Sequence, residues 1–188
     1  PRALGLTALG RAPVGGAPAR SGARPGDLLH VSGTIGDAGA GLAMRQRRAT
    51  GDALLVRRYV RPEPRLALGQ RIAPHVTAMA DVSDGLLIDA DRMGRASGCA
   101  IHIDLDAVPL SGALRAMQGD GLEARLEAAS AGDDYELLFT APPGAITDPG
   151  VTVIGRVEAG EGLHLGFRGE SVPLPTTLGY EHGAEAEG

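Results

Sequence analysis

Apolar runs of strand length alternate with segments of helical periodicity along almost the whole 188-residue chain. This alternation constrains the fold most, because a strand hides one face, a helix one stripe, and each needs the other to cover it. Residues 28–31, 76–82, 100–105, 135–140 and 151–157 read as strands, and 163–172 as a hairpin around Arg168-Gly169. Helices are predicted over about 37–48 with Asp37 as N-cap, over 52–60, from Pro64 onward, and over about 84–97, 110–118 and 121–130. The fold class is therefore α/β (α+β), a mixed β-sheet covered by helices, in which parallel neighbours need helical crossovers. Residues 4–10 read as one more strand, and 184–188 as a flexible tail.

The core of such a domain must be made from Leu, Ile, Val and Ala. Aromatics are only 3% of the chain and Trp is absent, while 29 glycines allow backbones to approach closely. No apolar run reaches the roughly 18 residues of a membrane span, so no membrane partner is expected. Residues 1–5 lack a signal-peptide pattern. The single Cys99 permits no internal disulfide and reads as a small buried apolar residue, which fits a cytoplasmic protein.

The net charge of −5 is unevenly spread. Eight arginines (45, 47, 48, 57, 58, 61, 65 and 71) oppose only Asp52 and Glu63 between residues 45 and 71. One aromatic, Tyr59, and no nucleic-acid motif accompany them, so the stripe reads as a solvated face on two helices and nucleic acid is not expected as a partner.

The chemistry concentrates in two acidic stretches. In Asp81-Val82-Ser83-Asp84-Gly85-Leu86 a buried strand ends, two carboxylates appear three residues apart, and a helix begins. A helix start attracts phosphate, and carboxylate oxygens suit Mg²⁺ that also binds phosphate. The same letters also make a good helix start without any ligand, with Ser83 as a possible cap. Asp89 and Asp91 read as residues of a solvated helix face. In Gly132-Asp133-Asp134-Tyr135-Glu136-Leu137 the adjacent carboxylates suit metal or substrate binding. Alternatively they are turn residues, with Glu136 facing solvent from a strand. Gly33-Thr34-Ile35-Gly36-Asp37 lacks the Lys of a P-loop and the third glycine of a dinucleotide fingerprint, and reads as a tight strand-to-helix turn. The five histidines show no metal-ligand spacing.

Six stretches in order resemble the C-terminal part of the bacterial thiamine-monophosphate kinases, within the aminoimidazole ribonucleotide synthetase-like superfamily. They are residues 20–27, 33–38 and 61–65, the two acidic stretches, and Gly179-Tyr180-Glu181-His182. The resemblance implies Mg²⁺-dependent transfer of the ATP γ-phosphate to thiamine monophosphate, giving thiamine diphosphate. Carried over residue by residue, it implies that Asp81 and Asp84 bind Mg²⁺, that Arg20 and Ser83 contact ATP, and that Asp133 and Tyr180 contact the thiamine substrate. An aromatic face such as Tyr180 suits a cationic thiazolium ring. The chain departs from the family's usual residues at Asp133 (Glu), Ala131 (Gly) and Gly183 (an aromatic).

The resemblance further implies a division of the chain. Residues 1–13 are the last strand of an N-terminal domain that is absent here, and 14–183 form the C-terminal ATP- and substrate-binding domain. It implies a homodimer for the full-length enzyme, and an isolated chain without activity. Another ATP-dependent member of the superfamily, or a non-catalytic nucleotide- or thiamine-phosphate-binding module, is the alternative reading.

Overall fold

Seven strands form one mixed sheet in the computed structural model, which describes residues 5, 7, 9–12 and 16–180. The strands are β1 (Leu28–Ser32), β2 (Ala78–Asp81), β3 (Ala100–Asp104), β4 (Leu137–Ala141), β5 (Val151–Glu158), β6 (Leu163–Phe167) and β7 (Glu170–Val172). Their order is β2-β4-β1-β5-β3-β6-β7. Every pairing is antiparallel except β3 with β6. The α/β fold with a mixed sheet is thus borne out, but helical crossovers between parallel neighbours play little part in it. The helices are α1 (Asp37–Arg45), α2 (Ala53–Val60), α3 (Leu66–Ile72), α4 (Leu86–Ser97), α5 (Gly112–Gln118) and α6 (Leu122–Ser130). Of the strand expected at 4–10, residues 5, 7, 9 and 10 are described and none lies in a strand, while 4, 6 and 8, like the tail at 184–188, lie outside the described residues.

The period-2 pattern of the strands divides the apolar residues between two faces. Leu29 and Val31 of β1, Leu138 of β4, Ile154 of β5, and Ile101 and Ile103 of β3 belong to the main core. There they meet Leu86, Leu87, Ala90 and Met93, which are fully buried along one stripe of α4. On the other face Phe139 packs against Leu68 and Ile72 of α3, with Val76, Met79 and Val151 around it. His30 lies across from Phe139 in the β1–β4 ladder and stacks on its ring, with centroids 5.0 Å apart. Burial holds the His30 imidazole below its ordinary pKa, so it serves the core as a neutral, flat group. Cys99 is buried, as its sequence context suggested.

The first helix corrects one expectation. Asp37 is its first residue rather than its cap; the cap position is Gly36, with φ of 89° and no side-chain cap of its own. The helix also ends at Arg45, three residues earlier than predicted, in a turn that continues through Gln46. Asp52 does cap α2, accepting a hydrogen bond from the Leu54 N–H.

Because Phe139 is the one large side chain filling the α3 side of the sheet, Phe139→Ala should cost about 3–5 kcal/mol. The measurement is chemical denaturation followed by far-UV circular dichroism.

Candidate ligand and metal site

Antiparallel pairing places the last residue of β2 opposite the first of β4, with Asp81 across from Leu137. The strand-to-helix turn 82–85 and the segment 131–136 that leads into β4 therefore lie side by side. Four backbone hydrogen bonds fix them. Val82 N–H donates to Glu136 O, Tyr135 N–H to Val82 O and Asp133 N–H to Ser83 O, while Tyr180 N–H reaches Asp84 O from the chain's end. The contact is close enough to require glycine on both sides. A Cβ on Gly132 would come within 2.7 Å of Ser83 O, and one on Gly179 within 2.5 Å of Asp84 O.

Four of the six expected site residues, Ser83, Asp84, Asp133 and Tyr180, are joined directly by these bonds, and Asp81 ends the strand beside them. Asp81 is exposed, Ser83, Asp84 and Asp133 are half-buried, and the Tyr180 side is 62% exposed. Arg20 stands apart on a neighbouring segment. Ala19 O accepts from Met79 N–H of β2, and Ser97 Oγ accepts from the Gly22 and Ala23 N–H groups, so residues 19–23 run along the outer edge of β2. The Arg20 side chain is exposed there.

Several residues that build this site were read otherwise from the sequence. Asp89 and Asp91, expected on a solvated face, are buried. The reason is the turn itself: Asp89 Oδ2 accepts from Ser83 N–H at 3.0 Å and Asp84 N–H at 3.1 Å, binding free amides at the start of α4. Ser83 does not cap that helix, whose N-cap is Gly85 without a side-chain bond. Arg92, one turn further, donates to Asp84 at 2.5 Å and to Asp89 at 3.0 Å. Those carboxylates raise its pKa, the Asp84 hydrogen bond most. A carboxylate followed by an arginine three residues later was the only trace of this in the sequence.

Glu136 is not a solvent-facing strand residue; only 1% of it is exposed. It takes a fork of hydrogen bonds from Arg65 Nε at 2.7 Å and Nη2 at 2.6 Å, and one from Ser32 Oγ at 2.5 Å. Asp134 reaches the other way and accepts from the N–H groups of Gly36 and Ala38, supplying the cap that α1 lacks. Tyr135, between them, has φ of 51° and projects outward, 40% exposed, with its hydroxyl donating to Asp133 Oδ1 at 3.2 Å. Burial raises its pKa, and the negative charges of Asp133, Asp81 and Asp84 raise it further.

An open cleft of about 1260 Å³ leads away from Asp81 and Tyr135. Pro18, Ala19, Leu66, Val76 and Met79 give it apolar walls, and Arg65 stands at its side. Oxygen donors at one end and an apolar trough behind them suit a molecule with an anionic, metal-binding head and a flat apolar body. Carboxylates fit Mg²⁺ by donor type; of the two expected to bind it, Asp81 is exposed at the end of β2 and Asp84 is paired with Arg92. Among the described residues no group of three or more His, Cys, Asp or Glu side chains is arranged to hold a metal ion. No described helix is long and apolar enough to cross a membrane.

Residues 24–167 match the family model of the AIR synthase related protein, C-terminal domain. A thiamine-monophosphate kinase of Caulobacter vibrioides is 41% identical over 196 aligned residues, covering 97% of this chain and 55% of that protein. The structure of AaThiL complexed with AMPPCP and TMP superposes with a TM-score of 0.73 at 36% identity, over 86% of this chain and 53% of that one. The thiamine-monophosphate kinase structure from Stenotrophomonas maltophilia gives 0.71 at 37% identity, over 82% and 54%. The chain spans about half the length of the relatives it matches.

The cap on α1 has a pH consequence. Burial, reinforced by the charges of Asp37 and Glu136, pushes the Asp134 carboxyl up to about 7 against the pull of the two backbone amides. The folded chain thus keeps a proton that the unfolded chain releases near pH 4. The stabilisation is full below that pH and is lost as pH rises through about 7. Asp134→Asn, which keeps an acceptor for the amides and cannot ionise, should flatten the fall in denaturation midpoint between about pH 4 and 7. Midpoints measured across that range for both proteins give the answer.

Proposed function

This chain belongs to the family of the AIR synthase related protein C-terminal domain, and from that membership we propose that it is the nucleotide- and substrate-binding part of a thiamine-monophosphate kinase. The observation that supports the reading is that backbone hydrogen bonds join Ser83 to Asp133 and Asp84 to Tyr180 on turns next to Asp81, which lines the cleft. In the related AaThiL the complex contains AMPPCP and TMP, a nucleotide analogue and the acceptor class that such residues suit.

In the proposed reaction the bond between the β- and γ-phosphates of ATP breaks. An oxygen of the thiamine monophosphate phosphate forms a new bond to the γ-phosphorus, giving ADP and thiamine diphosphate. The attacking oxygen is already anionic, so no side chain has to remove a proton from it. The obstacle is repulsion between two polyanions, and catalysis consists of positioning and charge neutralisation. Mg²⁺, held by Asp81 and Asp84, supplies that neutralisation when bound.

The other residues orient the reactants. Ser83 and Arg20 are proposed to contact ATP, Ser83 from the helix start and Arg20 from the edge of β2. Asp133 and Tyr180 are proposed to contact the thiamine substrate, with the Tyr180 ring against its cationic part. Asp133 has φ of 69°, a conformation that turns its carboxylate toward Tyr135 and the rim. Arg92 pairs with Asp84 at 2.5 Å, so a cation binding Asp84 competes with that ion pair. Residues 14–183 as one binding domain, a homodimeric full-length enzyme and a cytoplasmic location belong to the same proposal.

Asp84→Asn should weaken Mg-ATP binding at least tenfold, read by calorimetric titration, and disturb the fold little because Asp84 caps no helix. Unchanged affinity would return the turn to a purely structural role. Among the described residues no three His, Cys, Asp or Glu side chains come together as a metal shell, and the proposal supplies two carboxylates, Asp81 and Asp84. The 188-residue chain by itself is therefore expected not to form thiamine diphosphate from ATP, Mg²⁺ and thiamine monophosphate at a useful rate. Product chromatography checks this, and robust turnover would show that the metal shell is complete within the chain.

A further inference from the structure

A second cavity, of about 630 Å³, lies on the far side of the 62–64 linker from the cleft, and part of the arginine stripe lines it. Arg57, Arg58 and Arg61 face it, at the C-terminal end of α2 and its cap. Thr34, Ser111 and Leu54 form the rest of its wall, and Asp37 and Glu63 also border it. The three arginines differ in their state. Arg58 is held in place: it donates to Thr34 Oγ1 at 3.3 Å and lies 3.6 Å from Asp37 and from Glu136. Asp37 is itself buried and accepts both the Thr34 and the Ser111 hydroxyls. Arg57 and Arg61 have exposed side chains without an ion pair or hydrogen bond among the described residues.

A cavity within the range of about 300–1,000 Å³ typical of small-molecule sites, with one preorganised guanidinium flanked by two uncommitted ones, suits a phosphate group. Guanidinium forks match phosphate oxygens in pairs. The hydroxyls at the base have spent their protons on Asp37, so they offer acceptors to a neutral polar part of the same ligand. We propose that this cavity is a binding site for a phosphate-bearing small molecule, separate from the cleft at Asp81 and Asp84. Arg58 also approaches Glu136, whose carboxylate holds Arg65 beside the cleft, so the two cavities share one buried anion.

The test is calorimetric titration of the 188-residue chain with inorganic pyrophosphate in EDTA, which removes metal-dependent binding at Asp81 and Asp84. Saturable binding with a stoichiometry of one is expected, weakening as salt rises. The double variant Arg57→Ala/Arg61→Ala should lose at least tenfold in affinity, while Asp84→Asn should keep the wild-type value. Both positions are exposed, and an unchanged circular dichroism melting curve confirms that the double variant is folded. The proposal is overturned by absent or non-saturable binding, by equal affinity in the double variant, or by loss in Asp84→Asn instead. A single-stranded oligonucleotide that binds more tightly than pyrophosphate and depends on the same arginines would also overturn it, in favour of a nucleic-acid surface.

Discussion

The buried carboxylate of Glu136 ties more of this structure together than any other group. It joins the end of β1 through Ser32, the start of β4 through its own backbone, and the start of α3 through the Arg65 fork. Arg58 of α2 approaches the same oxygens, and the backbone of Gly33 rests against them. A charge this deep is tolerated only when paired and fully hydrogen-bonded. The bidentate geometry meets that requirement and raises the Arg65 pKa in turn. Removing either partner would leave the other charged in an apolar setting. The α2–α3 linker is thereby held against the sheet, and its Pro62 and Pro64 line both the cleft and the second cavity.

The acidic residues divide into two kinds by the groups they bind. Asp89 and Asp134 accept backbone N–H groups at the starts of α4 and α1, and Asp37 accepts two hydroxyls. These are interior acceptors whose work is to fix backbone. Asp81, Asp84 and Asp133 stay closer to solvent, on the turns that the first group has fixed. Of the second kind, Asp84 accepts from the Arg92 guanidinium and Asp133 from the Tyr135 hydroxyl rather than from amides, because carboxylates of the first kind satisfy the local amides. A turn whose amides were unsatisfied would draw its own carboxylates inward.

The geometry also accounts for a site rich in carboxylates and poor in histidine. The proposed phosphate-to-phosphate transfer asks for cations and fixed donors, not for a proton acceptor at neutral pH. Among the described histidines, His30 stacks in the core, and His102 and His164 stack on each other across the parallel β3–β6 pair.

Local signals decided much of this fold. Strand runs, the Asp52 cap, the α4 stripe of Leu86, Leu87, Ala90 and Met93, and the hairpin at Arg168-Gly169 each depend on neighbours within a few residues, so they are legible in the chain itself. The same holds for the two acidic stretches and for the residue types that suit Mg²⁺ and phosphate. Which carboxylates would be buried was not legible. Asp89 and Glu136 read as solvent-facing, and Asp134 as a metal- or substrate-binding or turn residue, until β2 pairs antiparallel with β4 and carries turn 82–85 against segment 131–136. The partners of Asp134 and Glu136 lie 98 and 71 residues away, beyond any periodicity. The sequence by itself determined the elements and the chemistry at the rim, because both reside in adjacent residues. Tertiary structure alone decided which charges are interior and which face a ligand, because that depends on desolvation and pairing across the sheet.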